Sequence, residues 1–321
     1  MKYVAAILMF GLFLSCQAAE AATFKIVKSG ATPLSELTVP QPRAVGIVNR
    51  FVPPAGSVLL LVEMEVAAVL GKEEDSLSLH TESFGVYDGN TKLPLIFDFS
   101  KLTGDTMYFT MNFYRGGDQP VENELYRVIV MAPANKNSFT LRLAPDVWDE
   151  KASENKPGKP VEAQLKVEGK PKPFAYSDYL SLQVTSMKFV DSISRKHPVT
   201  EVAYSTMNPG GSILAVHVKM SAKPSFLSPE GFVEFDSSAV GLTFGKGGSC
   251  GCIGYGYADQ PGASGDVYEG SLTLGGKDKY SDVNNKALIL YFPVPSNLRV
   301  FNVMFGGQQL MTIEIPATVK P

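Results

Sequence analysis

The chain has few of the residues on which disulfide scaffolds, metal centres and nucleophilic enzymes depend. Its 321 residues include three cysteines, three histidines and one tryptophan. Cys16 belongs to the N-terminal apolar segment, which leaves Cys250 and Cys252, too few for a disulfide framework. We therefore expect the fold to be held by apolar cores, for which a hydrophobic content of 45% is sufficient.

The chain also lacks an excess of positive charge, since its formal net charge at pH 7 is -3. Proteins that hold nucleic acid do so largely through a basic field that neutralises phosphates. We therefore expect no nucleic-acid partner.

None of the three histidines lies in a motif of nucleophilic catalysis. His80 is in a polar stretch predicted as a loop, His197 precedes a proline in a predicted turn, and His217 falls on the polar side of a predicted strand. A Ser/His/Asp set has no local support in the sequence. We predict no catalytic residues and no enzyme activity, and a hydrolase assembled from distant loops stays as a residual alternative.

The N-terminus has the form of a secretory signal. Met1 and Lys2 are followed by an apolar run over residues 3–14, which is shorter than the roughly 20 residues that a membrane-spanning helix needs. No later segment is long and apolar enough to cross a membrane. The chain is predicted to be exported to the periplasm or cell envelope, with a lipid-anchored or secreted form as the alternative.

Two cleavage sites compete within this signal. Residues 19–21 fit the rule of small residues before the cut, so that cleavage after Ala21 would release a chain that starts at Ala22. Residues 14–16 resemble a lipoprotein signal, in which Cys16 would become the acylated first residue. Both interpretations stay open.

Apolar residues in the rest of the chain recur mainly at every second position. Residues 58–66 alternate in this way around Glu63 and Glu65 and predict a half-buried strand, and residues 107–113 repeat the pattern. The 22 prolines and 29 glycines lie between short runs of this kind, and no amphipathic helix longer than two turns is evident. The sequence therefore predicts an all-β fold.

The two halves of the chain share an order of segments. Five segments of the first half have counterparts in the second: residues 53–64 with 209–220, 84–88 with 232–236, 104–113 with 265–274, 123–133 with 284–293, and 138–143 with 300–305. Alternation and turn residues are common to all β domains, which is the alternative explanation. We predict two tandem β-sandwich domains, over residues 22–148 and 174–321.

Residues 149–173, between the two predicted domains, are rich in Lys, Glu and Pro. This composition predicts a solvated, semi-rigid linker. Residues 163–167 alternate within it and could form a short edge strand.

The pattern of each half resembles the immunoglobulin-like domains of bacterial envelope proteins. A late strand, a proline at a bend (Pro133, Pro293) and a closing strand recur in both halves, and residues 88–90 form a hairpin-turn signal. The resemblance covers roughly residues 24–145 and 178–316 and implies a fold more than a function. The Cys…Trp…Cys core of antibody domains is absent, since Trp148 lies near the predicted linker.

The most unusual segment is the Gly-rich stretch over residues 245–257, which contains Cys250 and Cys252 and which we predict as an insertion in the second half. Two thiols one residue apart suit a soft metal such as Cu(I) or Zn(II), with His217 as a further ligand supplied by the fold. A strained disulfide with redox activity is a second possibility. A structural Gly-rich loop, with either a local disulfide or two idle thiols, is the third.

Two other clusters allow a structural and a functional interpretation. Tyr255, Tyr257 and Tyr268 predict either hairpin packing or an aromatic platform for carbohydrate. The carboxylates of residues 73–75 predict a solvated loop, with Ca²⁺ binding as the alternative.

The leading prediction is a non-catalytic exported protein whose two immunoglobulin-like modules contact an unknown protein or envelope component. The alternative from another class is a metal-binding or thiol-redox protein that uses Cys250 and Cys252.

Overall fold

The computed structural model describes residues 23–40, 48–70, 76–98, 110–114, 123–149, 154–157, 159–196, 203–207, 211–224, 232–258, 267–268, 270–275 and 286–319. Within them no helix has the length and hydropathy needed to cross a bilayer. The predicted all-β class is confirmed, because the described residues form strands and three single-turn 3₁₀ helices, Thr81–Ser83, Tyr176–Asp178 and Ser237–Ala239.

Several sequence predictions fall outside the described residues. Both competing cleavage sites do so, the one after Ala21 and the one that would leave an acylated Cys16, because the description begins at Thr23. The carboxylates of residues 73–75 and His197 also lie outside it. These predictions therefore stay as the sequence left them.

The described residues up to Lys166 form thirteen strands. They are β1 Thr23–Pro40, β2 Val48–Phe51, β3 Ser57–Val69, β4 Ser76–His80, β5 Phe84–Asp88, β6 Thr91–Lys92, β7 Leu95–Asp98, β8 Thr110–Tyr114, β9 Glu124–Pro133, β10 Ser138–Leu143, β11 Asp146–Asp149, β12 Glu154–Pro157 and β13 Val161–Lys166. His80, predicted in a loop, is the last residue of β4, where it lies opposite Thr110.

The described residues from Lys172 onward form another thirteen strands. They are β14 Lys172–Pro173, β15 Leu180–Val190, β16 Ser192–Lys196, β17 Ala203–Met207, β18 Ser212–Ala222, β19 Phe232–Asp236, β20 Val240–Phe244, β21 Gly248–Gly251, β22 Gly254–Tyr257, β23 Ser271–Gly275, β24 Lys286–Val294, β25 Val300–Phe305 and β26 Gln308–Glu314.

Both halves pair their strands in the same order. One sheet of the first half runs β1-β3-β9-β7 and the other runs β13-β10-β5-β6. In the second half the corresponding orders are β15-β18-β24-β22 and β26-β25-β20-β21. The small pairs also correspond, with β4-β8 matched by β19-β23 and the β1-β2 hairpin matched by β16-β17. In each half the two main sheets contribute to one apolar core, which is consistent with a β-sandwich.

One of the five predicted segment matches is wrong. Residues 84–88 form β5, which occupies the sheet position of β20, whereas residues 232–236 form β19, the counterpart of β4. Short alternating strands resemble each other regardless of their place in the sheet, so the pattern alone did not distinguish β4 from β5. As a consequence the Gly-rich segment is not an insertion, because β21 and β22 have β6 and β7 as counterparts.

Strand β3 is buried on both faces rather than half-buried as predicted. Leu60 and Val62 belong to the core of the first half, and Leu59 and Leu61, on the opposite face, belong to a cluster that includes residues of the second half. The sequence shows which residues alternate but not that another part of the chain covers the second face. Glu63, predicted on the polar side, is only 5% exposed.

The Lys/Glu/Pro-rich stretch between the halves contains several strands. β11 and β12 form a hairpin, β13 is the edge strand beside β10, and β14 pairs in parallel with β1. The amide of Glu168 donates to the carbonyl of Ala31 (3.0 Å), and the amide of Phe174 donates to that of Glu36 (2.9 Å). The chain therefore leaves the first half by running along the outer edge of β1.

Candidate functional site

The two cysteines lie on β21 and just after it, at the border of the large apolar cluster. Cys250 is opposite Leu242 of β20, and both cysteines are free thiols. The Cys252 thiol donates to the carbonyl of Gly254 (3.0 Å), and its amide donates to that of Val240 (2.9 Å). The surrounding strand pairing thus holds this segment in place.

The environment of Cys250 favours the protonated thiol. Burial is the main cause that raises the pKa of Cys250 to about 12. A hydrogen bond with the backbone of Leu242 lowers this pKa by a smaller amount, and the neighbouring Cys252 raises it slightly. Metal binding and disulfide exchange both require the thiolate. At neutral pH Cys250 of the folded chain is therefore mainly a protonated thiol.

His217 lies in β18, in a different sheet from Cys250. Its neighbours Val216 and Val218 face the apolar core, so the alternation of a strand places the His217 side chain on the opposite face of the sheet. Burial, followed by the positive charge of Lys188, lowers the pKa of His217. No group of three or more His, Cys, Asp or Glu side chains in the described part of the chain is arranged to hold a metal, so Cys250, Cys252 and His217 do not form one.

The three tyrosines named in the sequence do lie together. Their ring centroids are 5.8 Å apart for Tyr255 and Tyr257, 5.9 Å for Tyr255 and Tyr268, and 5.6 Å for Tyr257 and Tyr268. Tyr255 is only 7% exposed and belongs to the core, Tyr257 packs against the core, and Tyr268 is 40% exposed. The rings therefore pack mainly against each other and the core, and one of them offers substantial surface.

The long strand β15 is the feature that the sequence interpretation missed. It pairs with β18 along its length and stands last in its sheet, and no other strand among the described residues pairs with its outer edge. An edge strand of this kind presents a row of backbone donors and acceptors to any further strand. Its counterpart β1 has its outer edge partly covered by β14.

A proline explains the difference between the two edges. After β13, the amide of Val167 donates to Asn137 and the next amide, that of Glu168, donates to Ala31 of β1. After β26, Ile315 makes the equivalent bond to Arg299, but the next residue is Pro316, which has no N–H to donate.

The chain beyond Pro316 turns instead of following β15. The amide of Val319 donates to the carbonyl of Pro316 (2.9 Å), and the Arg299 guanidinium (Nη1) donates to the carbonyl of Val319 (2.9 Å). Among the described residues, the second half thus leaves open the edge that is partly covered in the first half.

Between Leu180 and Val190, the side chains of β15 divide into two sets. Those that pack against the apolar core are half-buried, and the rest are exposed. The core-facing set is Leu182, Val184, Met187 and Phe189, and the exposed set is Ser181, Gln183, Thr185, Ser186 and Lys188. A β-bulge at Thr185, between Val184 and Ser186, shifts the alternation by one residue. This slip interrupts the period-2 pattern that would have revealed the strand in the sequence.

Comparison with protein-family models gives no match, and neither does comparison with curated proteins.

Proposed function

We propose that the chain is a non-catalytic exported protein of the cell envelope, in which two immunoglobulin-like modules act as an interaction or structural unit. The observation that carries the proposal is the repetition of one pair of sheets in both halves, joined by a common apolar cluster. Repeated sandwiches of this kind offer edges and end loops as contact surfaces on a stable frame.

The order of the strands supports the immunoglobulin-like assignment. If β1, β3, β5, β6, β7, β9, β10 and β13 are lettered A, B, C, C′, D, E, F and G, the sheets run A-B-E-D and G-F-C-C′. Immunoglobulin constant-type domains have strands A, B, E and D in one sheet and C, F and G in the other. The second half follows the same order with its own strands.

The junction between the halves supports their action as one unit. Leu59, Leu61 and Ile129 of the first half share an apolar cluster with Phe174 and Tyr176, which follow the linker. The Gln308 side chain of β26 anchors this segment, since its amide nitrogen donates to Phe174 O (2.6 Å) and its amide oxygen accepts from Tyr176 N (3.0 Å). Contact surfaces on the two modules would then keep a defined separation.

The proposal is tested by affinity capture from an envelope extract with the purified, tagged mature chain. We expect at least one protein or envelope component to be retained and to be released by an excess of untagged chain. Failure to retain any such competable component contradicts the proposal.

A matched variant, Cys250→Ser/Cys252→Ser, distinguishes the proposed interaction function from the alternative of metal binding or thiol redox chemistry. Retention of the partner by this variant is expected, because both cysteines pack against the apolar cluster. Loss of capture together with loss of bound metal or of a reducible bond would move the function to the cysteines.

Export itself is tested at the N-terminus. The intact mass of the chain recovered from the envelope distinguishes cleavage after Ala21, which leaves Ala22 as the first residue, from an acylated Cys16. A chain that keeps residues 1–21 and stays in the cytoplasm would refute the proposed export.

A further inference from the structure

The open edge of β15 carries an inference that does not depend on the proposed function. The core-facing side chains on this edge, among them Val184 and Met187, are only half-buried because no described strand continues the sheet beyond them. A strand added here would complete their burial and pair the outer backbone groups. The pattern of β15 defines which strand fits.

From Leu182 to Phe189 the side chains of β15 read inward, outward, inward, outward, outward, inward, outward, inward. The two consecutive outward positions are Thr185 and Ser186, at the bulge. Because the bulge shifts the alternation by one residue, a partner strand with regular alternation could place its apolar side chains on the core face beside those of β15 on one side of the bulge only. A strand that matches both sides must itself slip at the same point.

The sequence of inward and outward positions is the same in both directions along the strand. We propose that the partner of β15 is β15 of a second copy of this chain, running antiparallel about a twofold axis between Thr185 and Ser186. The two four-stranded sheets then form one continuous sheet. Such an interface uses the same edge of both copies and closes as a dimer.

The apolar contacts of this pairing are complementary. With the axis between residues 185 and 186, Leu182 lies opposite Phe189 of the other copy, and Val184 lies opposite Met187. Each of the four half-buried apolar side chains of the core-facing set thus faces another across the axis, which is the arrangement that stabilises cross-strand pairs.

The exposed face is matched in the same register. Gln183 lies opposite Lys188 of the other copy, and Thr185 lies opposite Ser186. Lys188 is the only charged residue between Leu180 and Val190, so the pairing places no like charges directly opposite each other. The register that pairs the apolar side therefore also pairs the polar side.

The test uses charge pairs at the axis of the purified mature chain under reducing conditions. The variant T185K/S186K places lysine opposite lysine twice, and T185E/S186E places glutamate opposite glutamate twice. Both residues are exposed in the single chain, and the only side-chain hydrogen bond given for either is the one from Thr185 Oγ1 to the carbonyl of His217 (3.1 Å), which both variants remove alike. The matched control is Q309K/T312K, which adds the same charge to exposed positions of β26, another edge strand of the same half.

Sedimentation velocity should show a dimer for the native chain and for the β26 control. The lysine and glutamate variants should each dissociate, with the dimer dissociation constant raised roughly tenfold or more. An equimolar mixture of the two should form the dimer again, because each lysine then faces a glutamate. A native chain that stays monomeric at about 100 µM, charge variants that dimerise as the native chain does, or a mixture that stays dissociated would overturn the proposal.

Discussion

Among single residues, Glu63 and Arg127 form an ion pair that is almost completely buried. The Arg127 Nε atom donates to Glu63 Oε1 at 2.9 Å, and the two side chains are 7% and 1% exposed for Glu63 and Arg127. The guanidinium also lies 5.2 Å from the ring centroid of Tyr179, a residue of the second half. A buried charge that loses its partner is costly because its desolvation is no longer offset.

We predict that Arg127→Met lowers the free energy of unfolding by about 3–5 kcal/mol, measured by urea denaturation at pH 7. The double variant Arg127→Met/Glu63→Leu should recover much of this loss, because it removes the isolated carboxylate as well. Equal losses for the single and double variants would mean that the shape of the arginine, and not its charge, maintains the junction.

Gly306 allows a close approach by the ring of Tyr176. Its φ is +53°, and an added Cβ would lie 2.3 Å from two ring carbons. Gly245 has nearly the same φ, +54°, but a Cβ there would meet nothing within 4 Å. A comparison of alanine variants at the two positions therefore distinguishes the cost of backbone strain from the cost of steric overlap.

For Gly245→Ala we expect a loss of about 1–2 kcal/mol, which is the cost of a left-handed backbone for a residue with a Cβ. For Gly306→Ala we expect a further loss of about 1–3 kcal/mol from overpacking against Tyr176. Chemical denaturation of both variants measures the difference. Similar losses at both positions would show that the Tyr176 ring moves away without cost.

The raised pKa of Cys250 predicts low thiol reactivity in the folded chain. In a Cys252→Ser variant, alkylation by iodoacetamide at pH 8 should be roughly 100-fold or more slower in the native state than in urea, since a folded-state pKa of about 12 leaves little thiolate. The native rate should rise as the pH approaches 12. Rapid alkylation at pH 8 would restore the redox and metal interpretations of this segment.

At the scale of strands, the sequence predicts the secondary structure best where the apolar alternation is unbroken, and worst where a β-bulge shifts the alternation by one residue. β3, β9 and β10 follow from their apolar pattern, and the all-β class follows from many such runs. β15 was missed because its bulge divides one long strand into two short patterns. The double burial of β3 could not be predicted, because it depends on residues of the second half, far along the chain.

The candidate sites show the same limit. Tyr255, Tyr257 and Tyr268 were predicted as a cluster because two of them are neighbours on one strand face. His217 could not be placed relative to Cys250 without knowing that the two strands belong to different sheets. The open edge of β15 depends on the missing backbone N–H of Pro316. The role of this proline is evident only when the path of the chain after β26 is compared with its path after β13.

For the whole molecule, the shared apolar cluster predicts that the two halves unfold together. Trp148, the only tryptophan, belongs to β11 of the first half, so its fluorescence reports on that half, whereas circular dichroism reports on both. In urea the two signals should give the same midpoint. Distinct midpoints for the native chain would contradict coupling through the cluster.

A pair of phenylalanine variants tests the source of this coupling. Phe174→Ala removes a 4%-exposed ring from the shared cluster, and the two midpoints should separate. Phe113→Ala removes a 2%-exposed ring from the core of the first half alone. That control should lower both midpoints together, by an amount that corresponds to about 3–5 kcal/mol.

The path of the chain along β1 also determines where the protein can be divided. A fragment of the first half that ends at residue 148, the boundary predicted from composition, would lack β13 beside β10 and β14 beside β1. The outer edges of β10 and β1 would then be unpaired. Exposed edges of this kind promote association with other chains. A fragment that continues through Phe174 keeps both covering strands, so the segment that looks like a tether between modules is better understood as the closing piece of the first one.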